Sequence, residues 1–184
     1  MTRPSPPLDT RRFRETLGLF ATGVAVVVAR AGEDVHAMTV NAVSSLSLDP
    51  MLVLFCPGKT TRLARDIAAV PGFTINFLRR EQQALSTYFA GGWQEPTPPP
   101  HRFVTSRSAL RLEGSLACLD CETERVTEAG DHWLVIGRVV HVHMGIQPHH
   151  PLVFFKGQYR GVDSTDSAPA PDLVNIHEVP FHFY

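Results

Sequence analysis

The sequence predicts a mainly β fold, a β-barrel carrying helical additions. Two observations predict it. Six or more short segments rich in Val, Ile, Leu and Phe are bounded by Gly, Pro, Asn and Asp, whereas helical spacing recurs in only two or three places. The apolar segments also fail to alternate with helices as repeated βαβ units would. A chain of 184 residues suits one domain with a sizeable core. With 43% hydrophobic and 19% charged residues, the composition is that of an ordinary soluble chain. A formal net charge of −1 leaves no electrostatic footprint for nucleic acid. No apolar run reaches the roughly 18 residues of a membrane span. The start, "MTRPSPPLDT", lacks the apolar stretch of a secretory leader. Three cysteines, an odd number, fit a reducing cytoplasm better than a disulfide scaffold.

The elements follow in order. Residues 1–8 are Pro-rich and loose. Asp9 is an N-cap for a first helix, with Phe13, Leu17 and Phe20 at helical spacing and Gly23 as the stop. "VAVVVAR" (24–30) is a buried strand and "AGED" (31–34) a turn. "HAMTVNAVSSLSLDP" (36–50) is a second strand with an irregular end, and "MLVLFC" (51–56) a third, apolar enough to be buried on both faces. In "PGKTTRLARDIAAV" (57–70), turn residues give way to a helix with Leu63, Ile67 and Val70 on one face. "GFTINFL" (72–78) alternates as a strand, "EQQALSTYFAG" (81–91) is a short helix, and the four prolines of 92–103 mark a loop. Strands are expected over roughly 110–127, 132–144 and 151–155. "GVDSTDSAPAPD" (161–172) has linker composition, and the apolar end after it suits docking on a partner subunit.

Several motifs bear on chemistry. The second strand sets Thr39, Asn41, Ser44, Ser45 and Ser47 among small apolar residues, more hydrogen-bonding groups than a core strand needs. Such a strand suits a polar, largely planar ligand. "PGKTT" (57–61) is not a Walker motif, because the required upstream glycine is Val53. Lys59, Thr60 and Thr61 still open a helix, where free N–H groups and the dipole favour an anion, with Arg62 and Arg65 nearby. A plain Gly turn with a Thr cap explains the segment equally well. "CLDC" (118–121) has metal or redox spacing, but on a strand its two sulfurs point to opposite faces, which favours a structural role. "HVH" (141–143) puts two imidazoles on one strand face. Without accompanying carboxylates, surface histidines outweigh a metal site. In "AGDHW" (129–133), His132 stands at a strand mouth, where it either caps the strand or reaches into a pocket. No GxSxG, HExxH or GxGxxG is present.

Read in order, these segments resemble the flavin reductase-like family, which has the FMN-binding split-barrel fold and supplies the small reductase components of two-component flavin monooxygenases. The resemblance is carried by "FRETLGLFATGVAVVVA" (13–29), "HAMTVNAVSSLSLDPMLVLFC" (36–56), "GFTINFL" (72–78), Gln82, "FA" (89–90), "LEGSLACLDCE" (112–122), "GDHWLVIGRVV" (130–140) and "PLVFFKGQYR" (151–160). It implies one split-barrel domain over 1–160, with 161–184 as linker and tail. It implies that Thr39, Val40, Asn41 and Ala42 lie along the isoalloxazine and ribityl chain, with Ser45 and Ser47 at its polar edges. Lys59, Thr60 and Thr61 match the family's phosphate-binding turn, reached through Phe55 and Cys56. Asn76 and Gln82 match recurring polar positions, His132 falls at the nicotinamide end, and Tyr159 falls near the flavin. Ala37 stands where the family has Gly, and Cys118 where an aromatic is common. The implied function is hydride transfer from NADH or NADPH to FMN or FAD, with reduced flavin passed to a monooxygenase by a cytoplasmic homodimer. Two competing readings keep the fold: a bound-flavin electron carrier or oxidase, and a non-catalytic binding protein. Metal binding through His141 and His143 is a more distant one.

Overall fold

The computed structural model describes residues 9–146 and 150–162. The Pro-rich start, His149 and the tail beyond 162 lie outside the described residues. Helix α1 (Thr10–Leu17) is capped as expected, the Asp9 carboxylate accepting from the Arg11 N–H at 2.9 Å. It stops earlier than Gly23, because the Gly18 N–H closes the last turn on the Arg14 and Thr16 carbonyls. Residues Thr22–Gly23 then form strand β1 instead. Phe13, Leu17 and Phe20 lie exposed on this segment.

Seven strands make one antiparallel sheet in the order β3-β2-β6-β9-β10-β5-β4. They are β2 (Ala25–Ala31), β3 (Asp34–Val40), β4 (Val43–Leu48), β5 (Met51–Phe55), β6 (Gly72–Phe77), β9 (Ala117–Ala129) and β10 (His132–Met144). Its edge strands, β3 and β4, are consecutive in the chain and joined by Asn41 and Ala42 alone. No ladder pairs them, so the sheet curls into a barrel that stays open along this seam. Inside the curl, Val27 from β2, Val53 and Phe55 from β5, Phe73 and Ile75 from β6 and Val135 from β10 form one core. Helix α2 (Arg62–Asp66) and the turn after it plug that core with Leu63, Ile67 and Val70, the face expected from their spacing.

A second core lies on the outer face. Val24, Val26 and Val28 pack there with Leu78, Leu85, Leu112 and Leu152. They are covered by α3 (Gln83–Phe89), which follows a single 3-10 turn (Arg80–Gln82), by the hairpin of β7 (Phe103–Thr105) and β8 (Leu110–Leu112), and by β11 (Leu152–Phe155). Strand β11 pairs with β1 and with β12 (Gln158–Gly161). Two covered faces explain why β2 reads as one unbroken apolar run. The β5 run does not share that fate. Val53 and Phe55 are buried, but Leu52 and Leu54 are half-buried and Met51 exposed, because among the described residues no outer layer covers β5. The strand expected over 110–127 divides into β8 and β9 at Gly114, which turns the chain with φ +74°.

Gly137 on β10 marks the tightest contact of the inner core. A Cβ there would meet the Phe73 ring and come within 2.9 Å of Cys121 Cβ. Gly137→Ala is therefore expected to destabilise the fold by about 1–3 kcal/mol through overpacking. A lowered urea midpoint with an unchanged slope would show it.

Candidate active site

The open seam brings together Thr39, Asn41 and Tyr159 among the polar residues singled out in the sequence. Thr39 Oγ1 donates to the Ser86 carbonyl at 2.7 Å, which ties β3 to α3. Ser86 Oγ lies 2.9 Å from Tyr159 Oη, which brings β12 to the same point. A cavity of about 170 Å³ results, with Thr39, Val40, Asn41, Phe154 and Tyr159 in its wall. Adjoining it at Thr39 and Ala90, a groove of about 750 Å³ runs from Thr61 and Arg62 past His36 and Thr39 to Tyr88 and His101. Asn41 and Ala42, between the two sheet edges, are exposed.

Strand β4 carries a bulge. Ser45 pairs with Val53 and Ser47 with Leu52, so Leu46 is the extra residue. Ser45 therefore shares the inward face of Val53, and Ser47 the opposite face. The sequence places the two hydroxyls side by side, but the bulge separates them and leaves local backbone groups out of the ladder. Ser44 Oγ donates to the Ser45 carbonyl at 3.0 Å.

The turn after β5 is clamped to the β9–β10 tip. The Trp133 N–H donates to the Pro57 carbonyl at 2.9 Å and the Lys59 N–H to the Asp131 carbonyl at 3.0 Å, with Gly58 and His132 bridged. His132 thus stands beside the turn that carries Lys59, Thr60 and Thr61. Its Nδ1 lies 2.7 Å from Asp131 Oδ1. That hydrogen bond first, then the imidazole's charge, holds the Asp131 carboxyl below its ordinary range. An ionised Asp131 only accepts, so Nδ1 donates to it, which leaves Nε2 as the ring nitrogen not engaged with Asp131.

Other expected residues have structural roles. The Lys59 ammonium is 3.3 Å from Glu128 and sits over the Trp133 ring. Thr61 caps α2, donating to the Gly58 carbonyl and accepting from the Ala64 N–H. Thr60 is exposed. Phe55 is fully buried edge-on to Phe73, so its side chain serves the core and only its backbone borders the turn. Asn76 and Gln82 are buried framework groups. Asn76 Nδ2 donates to the Val26 carbonyl and Gln82 Oε1 accepts from the Arg79 N–H. Ser86 was missed, because only the packing of α3 against β3 and β12 reveals its position.

All three cysteines are free. Burial first, then the Asp120 charge, pushes the Cys118 thiol up to about 12. Burial first, with Cys118 and Asp120 adding to it, does the same for Cys121, also to about 12. Burial also raises Cys56, which is only half-buried. The reading of "CLDC" as structural stands. A thiol reagent at neutral pH is expected to label Cys56 alone in the folded protein, and all three after unfolding. Mass spectrometry of the labelled peptides checks this.

Residues 17–163 match the flavin reductase like domain, and the chain belongs to that family. It is 37% identical over 170 residues to the reductase subunit HsaB of a flavin-dependent monooxygenase from Rhodococcus jostii, covering 89% of this chain and 84% of that one. It is 37% identical over 161 residues to an NADH-dependent flavin reductase from a Rhodococcus species, covering 86% and 89%. The structure superposes on the flavin reductase PheA2 with a TM-score of 0.79 at 34% identity, covering 85% of this chain and 99% of that one. The mainly β, split-barrel type of fold expected from the sequence is the observed one.

Proposed function

We propose that this enzyme transfers a hydride from NADH, or NADPH, to FMN or FAD held along the β3–β4 seam. One observation carries the reading. The seam offers uncharged donors beside a concave apolar wall, and Thr61 and Arg62, at the start of α2 and just after the turn that carries Lys59, line one end of the adjoining groove. That donor set fits a flavin nucleotide, whose ring is apolar with a rim of carbonyls and nitrogens and whose phosphate is anionic. The groove has the volume of a small-molecule site.

Thr39, Val40, Asn41 and Ala42 would line the ring and ribityl chain, with Ser45 and the freed backbone of the β4 bulge at the polar rim. Ser47 would contribute through its backbone, since its side chain is on the other face. Lys59, Thr60 and Thr61 would hold the phosphate, with Lys59 exchanging its Glu128 partner for it. Tyr159, fixed by Ser86, would close the inner end. When bound, the flavin supplies the hydride-accepting ring, and the protein's part is to bind and orient. His132 would orient the nicotinamide through Nε2, with Asp131 holding the tautomer.

Relatives named as monooxygenase reductase components support delivery of reduced flavin to a partner monooxygenase, and those named NADH-dependent support NADH. A homodimer is supported by apolar side chains left exposed on α1, on β4–β5 and at the end of β10, among them Phe13, Leu48, Met51 and Met144. Three free thiols and the nicotinamide cosubstrate support the cytoplasm as its compartment. Among the described residues no helix is long and apolar enough to cross a membrane. The test is anaerobic mixing of the purified protein with FMN or FAD and then NADH or NADPH. Rapid bleaching of the flavin absorbance is expected. A flavin that binds and does not bleach would overturn the reductase reading.

A further inference from the structure

We propose that the β7–β8 hairpin and the end of β10 form a second anion site, one that binds the phosphate group of a small phosphomonoester. Thr105, Ser106, Arg107, Arg111, His141 and His143 line a cavity of about 410 Å³ there. A bulge puts the histidines in it. Val139 pairs with Cys121 and packs on the inner core, but the next pair is His141 with Asp120. The extra residue, Val140, switches the alternation, so His141 and His143 leave the barrel interior for the outer face, beside the hairpin.

The charge balance favours an anion. Arg107 and Arg111 line the cavity, no carboxylate is among its lining residues, and neither guanidinium has an ion-pair partner among the described residues. Asp120 lies beneath the cavity, fully buried. Both of its oxygens are engaged with the hairpin, accepting from Ser106 Oγ at 2.7 Å and from the Ser108 N–H at 3.1 Å. Its charge offsets one guanidinium and leaves the cavity positive even with neutral imidazoles. Two guanidiniums beside the imidazoles oppose a metal cation, and no group of three metal-ligating side chains exists among the described residues.

The donors match an oxyanion with several acceptor oxygens. Guanidinium groups only donate, imidazole N–H groups and the Thr105 hydroxyl add to them, and the Ser106 proton is committed to Asp120. The cavity exceeds one tetrahedral ion, which leaves room for the ester's organic part. The cavity shares no lining residue with the seam cavity or its groove, so the site does not rest on their assignment.

The test follows the His141 and His143 imidazole resonances by NMR in the full chain with saturating FMN. Glycerol 3-phosphate, inorganic phosphate and sodium chloride at matched ionic strength are titrated in parallel. Saturable shifts with glycerol 3-phosphate are expected, tighter than with inorganic phosphate and unmoved by chloride. Arg111→Gln is expected to weaken binding about tenfold, the loss of one charged hydrogen bond. Arg107→Gln, at an exposed turn, gives the same reading should the β8 variant fold poorly. Shifts that follow ionic strength alone, or that survive both substitutions, would overturn the site. Equal affinity for the ester and inorganic phosphate would overturn the ester assignment.

Discussion

Replacing His132 with alanine is expected to slow hydride transfer about 10- to 100-fold, the range in which misplacing a reactant by an ångström falls. Flavin affinity should barely change. The backbone at His132 is pinned on both sides, by Lys59 N–H to the Asp131 carbonyl and by Trp133 N–H to the Pro57 carbonyl. Removing the ring therefore leaves the turn in place. The hydrogen bond to Asp131 also ends, and that carboxylate is exposed and can take water instead. Anaerobic stopped-flow mixing at saturating flavin separates the rate of bleaching from flavin binding, and nicotinamide saturation separates orientation from affinity. A slower limiting rate at unchanged flavin affinity is the expected pattern. An unchanged limiting rate would remove His132 from the site. Asp131→Asn should show a smaller loss, because the amide oxygen still accepts from Nδ1 but no longer carries the charge.

Much of this arrangement was legible in the chain, and the parts that were not share a cause. The Asp9 cap, the turn at 31–34, the Leu63–Ile67–Val70 face and the double burial of β2 are local patterns, and local chemistry decides them. Bulges are not local. Whether Ser45 and Ser47 share a face depends on their pairing with Val53 and Leu52 in another strand. The same holds for His141 and His143, whose face is set by one extra residue opposite β9. Met51, Leu52 and Leu54 read as core because they are apolar, but coverage of the second face of β5 is a property of the outer layer, which ends before it. The site residues came from the ordered resemblance more than from chemistry. Thr39, Asn41 and Tyr159 do converge on one cavity, whereas the Phe55 side chain went to the core because inward alternation on β5 fixed it there. Asn76 shows the converse, a polar residue that matches a family position and serves the fold.

Asn76→Ala is expected to be among the most destabilising substitutions outside the inner core, by roughly 2–4 kcal/mol, since it orphans the buried Leu112 N–H at about 1–3 kcal/mol and removes two further bonds at about 0.5–1.5 kcal/mol each, the Val26 carbonyl keeping its ladder partner in β6. The side chain is fully buried. Its Nδ2 donates to the Val26 carbonyl at 3.0 Å and to Thr74 Oγ1 at 2.9 Å, and its Oδ1 accepts from the Leu112 N–H at 2.8 Å. One amide thus joins β2, β6 and β8, fastening the hairpin over the sheet. Val26 and Leu112 lie in the outer core, where no water replaces the lost partner. Thr74 Oγ1 keeps its own bond to the Leu110 carbonyl, so the hairpin stays tethered at one end. Urea unfolding of flavin-free protein measures the loss directly. Asn76→Asp is the informative control. Its carboxylate can still accept from Leu112 but cannot donate to Val26, and it buries a charge, so it should be at least as damaging as alanine. A loss below about 1 kcal/mol for both variants would mean the hairpin is held by packing alone, because a satisfied hydrogen bond contributes about that much by itself.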